Sequence, residues 1–222
     1  MLLVGSAILY VHMRKAKRSQ FPYLSDSEWK VLSILDSAEK IQDYVSAIPQ
    51  NFEHGGDSCM SVREILKANR AHCIEGAVLA AVAFMVHGEK PLLMDLMAND
   101  EDEDHVIALF QRDGYWGAIS KGNHAYVRYR DPIYKTVREL ALSYFHEYYN
   151  LKGKKTLRSY SRPYNLARIK KEDWITGEHS WKIAEALCDV NHYPFITKKQ
   201  EKSLRDVDAI QLTITKHRVH TR

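Results

Sequence analysis

The sequence predicts a mixed α+β fold, and three observations carry that prediction. Residues 73–86 are apolar on nearly every helical face, which places a helix in the middle of a fold. Three short apolar segments follow, the last two joined around Asp113-Gly114, the strongest short hairpin signal. Helical periodicity flanks this block on both sides, in residues 27–48 and again after Pro132.

The elements are justified in order. Val31, Leu32, Leu35, Ala38, Ile41, Tyr44 and Val45 recur close to a 3.6-residue period, giving an amphipathic helical region over 27–48 that ends at Pro49. Residues 51–59 are turn-rich, and Ser61-Val62-Arg63-Glu64 then fits a capping box opening a short helix to about Asn69. The apolar helix begins at Cys73, and Gly88 is its C-terminal stop. Residues 91–96 read as a strand, 99–104 as an acidic loop, and 105–110 and 115–120 as the hairpin. After Asp131-Pro132, the positions Ile133, Val137, Leu140, Ala141, Tyr144, Phe145 and Tyr148 line one face of a predicted helix. Residues 154–160 suggest a further strand, and 177–190 another helix with Trp181, Ala184 and Leu187 inward.

Composition bounds the function classes. At 222 residues, 45% apolar and 27% charged, with 10 Gly and 6 Pro, the chain has the makeup of an ordinary globule and excludes collagen-like or wholly disordered readings. Three cysteines, Cys59, Cys73 and Cys188, leave one unpaired in any disulfide scheme and point to a reducing, cytoplasmic setting. Residues 1–13 are mostly apolar but fall short of the roughly 20 a spanning helix needs, so no stable membrane insertion is expected. The net charge of +4 hides an asymmetry: residues 1–150 carry 16 Lys+Arg against 20 Asp+Glu, and residues 151–222 carry 16 against 8. No nucleic-acid-binding motif accompanies the basic part, which reads as a charged outer surface anchored by Trp174, Trp181, Leu187 and Phe195.

Cys73 opens the buried helix in Ala71-His72-Cys73-Ile74-Glu75-Gly76, where unpaired backbone N–H groups and the helix dipole stabilise a thiolate and can receive an oxyanion. His105 opens a strand directly after the acidic loop Asp100-Glu101-Asp102-Glu103-Asp104, whose charge favours a protonated imidazole. Gln42 is a candidate second oxyanion donor by polarity and upstream position. His146-Glu147-Tyr148-Tyr149-Asn150 begins like a zinc-binding helix but has Asn where the second His must stand, and the acidic loop lacks the alternation of a calcium loop, so no metal or other cofactor is expected.

Cysteine at the start of a central helix, then a strand, a strand opening with His, and a hairpin partner resembles the transglutaminase-like branch of the papain-like superfamily. The resemblance runs from about Asn51 to Ser120 and is carried by Ala71-His72-Cys73, Asp104-His105-Val106 and Tyr115-Trp116-Gly117-Ala118-Ile119-Ser120. The stretch from Trp116 to Tyr148 is similar to bacterial transglutaminase-like proteins of unassigned activity. The resemblance implies a papain-like core of one buried helix on a small antiparallel sheet (residues 51–150), with an N-terminal helical extension (1–50) and a basic appendage packed on the core (151–222). It also implies thiol-dependent acyl chemistry on a peptide or protein amide, either cysteine protease-like or amidase-like hydrolysis or acyl transfer to an amine, with hydrolysis the default, Cys73 as nucleophile and His105 as proton carrier. In that family an acidic residue at the end of the second hairpin strand orients the histidine. Here that position is Ser120, with Asn123 in Ser120-Lys121-Gly122-Asn123-His124 as a second candidate. The rival expectation is a catalytically impaired binding module whose groove is lined by Trp116, Tyr126, Tyr129, Tyr144 and Tyr148.

Overall fold

The computed structural model describes residues 17–214 and 216–220; the apolar stretch 1–13 lies outside them. The helical region before Pro49 is two helices, α1 (Asp26–Ser33) and α2 (Ala38–Ala47), because the chain breaks at Leu35-Asp36 and restarts where the Ser37 side chain accepts the Lys40 N–H. Helix α3 (Val62–Ala68) starts at Ser61, whose hydroxyl accepts the Glu64 N–H at 3.3 Å, and stops at Asn69 in the left-handed region. Helix α4 (Cys73–Val86) has the predicted bounds, and its stop is Gly88 at φ 83°. It is apolar all round because it is covered all round: α1, α2 and α3 pack on one side, and the sheet on the other.

The sheet is larger than the small one expected. Strands β1 (Leu92–Ala98), β2 (His105–Arg112), β3 (Tyr115–Ile119), β4 (Arg130–Tyr134), β5 (Leu157–Ser161), β6 (Tyr164–Asn165) and β7 (His192–Pro194) make an open antiparallel sheet in the order β4-β3-β2-β1-β5-β7, with β6 also paired to β1. Eight α-helices accompany these seven strands among the described residues. The β2–β3 hairpin turns at Asp113 (φ 52°) and Gly114 (φ 83°), the two consecutive positive φ values of a primed turn.

Three findings in the second half of the chain differ from what its sequence predicts. The helix expected after Pro132 is instead edge strand β4, where the missing proline N–H costs no ladder bond, followed by a short α5 (Val137–Leu142). Ile133 accordingly faces solvent, while Tyr144, Phe145 and Tyr148 cover the outer face of the sheet from the turns after α5. Residues 157–194 are not an appendage laid on a finished core, since β5 and β6 pair directly with the central strand β1. Helix α6 (Trp181–Asp189) buries Ile183 and Leu187, but Trp181 is exposed. Trp174, Leu187 and Phe195 are buried as anchors. The short helices α7 (Lys198–Glu201) and α8 (Ala209–Ile214) follow.

Both sheet faces are covered, so β1 and β2 read as nearly continuous apolar runs rather than alternating ones. Leu93, Val106, Ala108, Phe110 and Ile119 face α4, whereas Met94, Leu96, Ile107, Leu109 and Ala118 face the aromatic layer with Tyr144 and Phe145. No helix among the described residues is long and apolar enough to cross a membrane.

One close approach fixes the height of α4 over the sheet edge. Lys121 runs its stem under Gly76 and donates from Nζ to the Ile48 carbonyl at 2.5 Å, and a Cβ on Gly76 would stand 2.4 Å from the Lys121 Cβ. Burial, with the charge of Arg128, lowers this lysine to about 8. Gly76→Ala is therefore expected to destabilise the fold by about 1–3 kcal/mol, read as a lower denaturant midpoint with unchanged slope. An unchanged midpoint would show that Lys121 moves aside freely.

Candidate active site

The fold brings three chain segments to one end of the sheet. Cys73 is the first residue of α4, His105 the first of β2, and Ser120 directly follows β3, so that folding the hairpin returns Ser120 to His105. Ser120 Oγ lies 2.9 Å from His105 Nε2 and donates its own hydroxyl proton to the Val127 carbonyl at 2.6 Å. The serine oxygen is thus the acceptor, His105 carries its proton on Nε2, and Nδ1 is the nitrogen left for the thiol. His105 and Cys73 line the same cleft, and His105 is among the groups that lower the Cys73 thiol.

Ser120 is itself fixed from behind. Gln42 on α2 accepts the Ser120 N–H at 3.0 Å and donates to the Ser120 carbonyl at 2.9 Å, with a further bond to Ser46. This full engagement overturns Gln42 as an oxyanion donor and makes it the residue that sets the serine's position. Asn123 turns its side chain to the backbone of His220 instead, whereas Ser120 is hydrogen-bonded to the His105 ring. Asp95 pairs with His192 on β7 at 3.0 Å, and Asp104 accepts the Ala98 N–H at 2.7 Å, so neither stands in as a third member.

His72 is the residue the sequence reading passed over. It precedes Cys73 at the N-cap of α4, with Nδ1 3.9 Å from Cys73 Sγ. Its Nε2 lies 2.9 Å from the Ser58 carbonyl, 3.4 Å from Glu75 Oε1 and 3.5 Å from Glu53 Oε1. A carbonyl only accepts, so Nε2 must carry a proton; a thiolate at Nδ1 also demands a donor, and the ring that satisfies both is the imidazolium. Burial works against that cation, but the hydrogen bonds and charges of Cys73 and Glu75 overcome it and raise the His72 pKa far above its ordinary value.

Glu75 completes this second arrangement from the third position of α4. It is wholly buried and accepts from the His72 N–H at 2.9 Å, the Met60 N–H at 3.0 Å, the Ser58 hydroxyl at 3.0 Å and Asn51 Nδ2 at 3.0 Å. Burial would raise its pKa, yet His72 and these donors hold it at about 2. A Glu at N3 is the ordinary reciprocal partner of an N-cap, and the His-Cys-Ile-Glu spacing was the available signal for it.

The thiol integrates these effects. Burial pushes Cys73 up, but the hydrogen bonds and positive charges of His105 and His72 outweigh it and bring the thiol down to about 5. Cys59 goes the other way, raised to about 12 by burial and the charge of Glu75, and Cys188 is raised by burial and nearby aspartates. All three thiols are free.

A cleft of about 990 Å³ opens over Cys73 and His105. Gln50, Glu53 and His72 line one part of it, the acidic loop another, and Asn123, His124, Arg218 and His220 a third. Gln50 sits beside the start of α4 through its bridge to Ala71, and its side-chain Oε1 is buried without a partner. Of the five aromatics expected in a groove, Tyr126 and Tyr148 line the cleft, while Tyr144, Trp116 and Tyr129 pack in the two cores. Among the described residues no group of three His, Cys, Asp or Glu side chains is placed to hold a metal ion. No family model matches this sequence, and no curated protein is similar to it.

Proposed function

We propose that the protein is a thiol-dependent acyl-transfer enzyme of transglutaminase-like type that acts on an amide or peptide, with hydrolysis as its outcome. The observation that carries this reading is a cysteine at a helix N-terminus held between two imidazoles, one of which is hydrogen-bonded onward to a fixed acceptor. The Cys73 thiolate attacks the carbonyl carbon, and the electron pair of the C=O bond moves to oxygen. The first-turn N–H groups of α4 have no intrahelical partners and receive that oxyanion. Gln50, on the cleft wall near the start of α4, gives one Nε2 proton to the Asn51 carbonyl and has the second left for the oxyanion in place of Gln42.

The proton that left the thiol sits on His105 Nδ1, and His105 gives that proton to the leaving amine as the C–N bond breaks and a thioester remains. The neutral His105 takes a proton from water, the hydroxide attacks the thioester, and the carboxylic acid and Cys73 thiolate are released. His72 does not shuttle protons, because the hydrogen bonds and charges of Cys73 and Glu75 raise its pKa far above the ordinary value and keep both ring nitrogens protonated. It acts as a standing positive charge beside the thiolate. This answers the serine at position 120: the carboxylate missing behind His105 is present behind His72, as Glu75 and Glu53.

The test is a trapped intermediate. With an activated acyl ester, mass spectrometry should show one acyl group on Cys73 and none on Cys59 or Cys188, and Cys73→Ser should show none at any of the three. Gln50→Ala should slow acylation by roughly 10²-fold with little change in half-saturation, as for loss of one oxyanion donor. A protein that acylates no faster at Cys73 than at the exposed Cys188 is the binding module instead.

A further inference from the structure

The cleft already holds a piece of the chain by its backbone, and the manner of holding shows what else it takes. Val219 donates its N–H to the Asn123 carbonyl at 3.1 Å. The Asn123 side chain brackets the next residue completely, accepting the His220 N–H at 2.7 Å and donating to the His220 carbonyl at 3.0 Å. His124 and Arg218 form an antiparallel bridge one step along. All three hydrogen bonds are to the main chain of residues 219 and 220, so the wall at residues 122–124 grips a backbone whatever its side chains.

Charge supplies the selectivity. Apart from the bound segment, the cleft is lined by Glu53, Glu101, Asp102, Glu103 and Asp104 against Lys121, Lys152 and the His72 cation. The segment laid against it, residues 216–220, reads Lys-His-Arg-Val-His. Arg218 and His220 share the cleft lining with Cys73 and His105.

We infer that the wall at Gly122, Asn123 and His124 is a subsite for a basic peptide, and that residues 216–220 are its intramolecular occupant, which an incoming peptide displaces. The inference rests on the acyl-transfer reading only for what happens to the peptide afterwards; the binding itself does not need a reactive thiol. A tethered occupant competes at an effective concentration near millimolar, so the subsite is masked in the resting protein.

The experiment uses the full chain and a fluorescein-labelled hexapeptide Thr-Lys-His-Arg-Val-His, read by anisotropy. Val219→Pro removes the N–H that Asn123 accepts and leaves the wall untouched. This variant should bind the peptide about fivefold to tenfold more tightly than the parent. Adding Asn123→Ala should abolish that gain, and the peptide with Lys and Arg replaced by Glu should not bind to any form. No gain in Val219→Pro, a gain that survives Asn123→Ala, or equal binding of the acidic peptide would each overturn the inference. Alkylation of Cys73 by iodoacetamide at pH 6, run alongside, keeps the two ideas apart. A reactive thiol without peptide binding defeats the subsite and spares the acyl-transfer reading; peptide binding with an inert thiol does the reverse.

Discussion

Iodoacetamide should alkylate Cys73 with a pH profile whose midpoint lies near 5, and the midpoint should climb in steps as the two histidines are removed. The position of the profile is the informative quantity, because a thiolate of lower pKa is also intrinsically less nucleophilic and the plateau rates partly cancel the gain. His105→Ala removes a hydrogen bond and a charge and is expected to give the larger single shift. His72→Gln should also raise the midpoint, by a unit or more, although it leaves the His105–Ser120 pair intact. With both replaced, only helix-end N–H groups worth about 0.3–2 kcal/mol oppose burial, and the midpoint should pass the ordinary thiol value of about 8.5. At pH 6 the parent should label at Cys73 alone, since Cys59 is held at about 12 and Cys188 is raised as well. A parent midpoint near or above 8.5 would mean that burial has won and that this is no nucleophile. A low midpoint untouched by His72→Gln would return the whole effect to His105.

The largest loss of stability is expected from Glu75→Ala. That substitution strips the acceptor from the His72 and Met60 amides, the Ser58 hydroxyl and the Asn51 amide, and strands the buried His72 cation. Removing one partner of a buried pair of this kind costs about 3–5 kcal/mol. Glu75→Gln keeps the shape and should cost less. The sign of the pH dependence follows from the depressed carboxyl. Its contribution is complete above the unfolded value of about 4.3 and is lost as pH falls from there toward about 2. Cys73, protonated in both states well below pH 5, adds no slope in that window. Denaturant midpoints measured from pH 5 down to pH 2 should therefore fall steeply in the parent and flatten in Glu75→Ala. Parallel curves would show that Glu75 is not the titrating group.

The sequence by itself determined the elements that depend on local chemistry. The span of α4 followed from an unbroken apolar run closed by a glycine, the β2–β3 hairpin from Asp113-Gly114, and the start of α3 from Ser61, because periodicity, turn residues and caps act over a few neighbours. The pair Cys73 and His105 was legible for the same reason, as each opens an element. Locally helical spacing misled at Ile133, where Pro132 at a sheet edge was the deciding fact, and the edge exists only once β3 is in place. Tertiary structure alone decided the rest of the site. Gln42 and Gln50 are alike in type and both upstream, but packing turns the first onto Ser120, 78 residues away, and leaves the second on the cleft wall. Asn123 stands three residues from Ser120, yet its partner is His220, 97 residues on. His72 and Glu75 were adjacent to the nucleophile in plain view. What makes them an ion pair beside a thiolate is burial under residues 51–60, and a sequence records which groups are charged without recording which of them are kept from water.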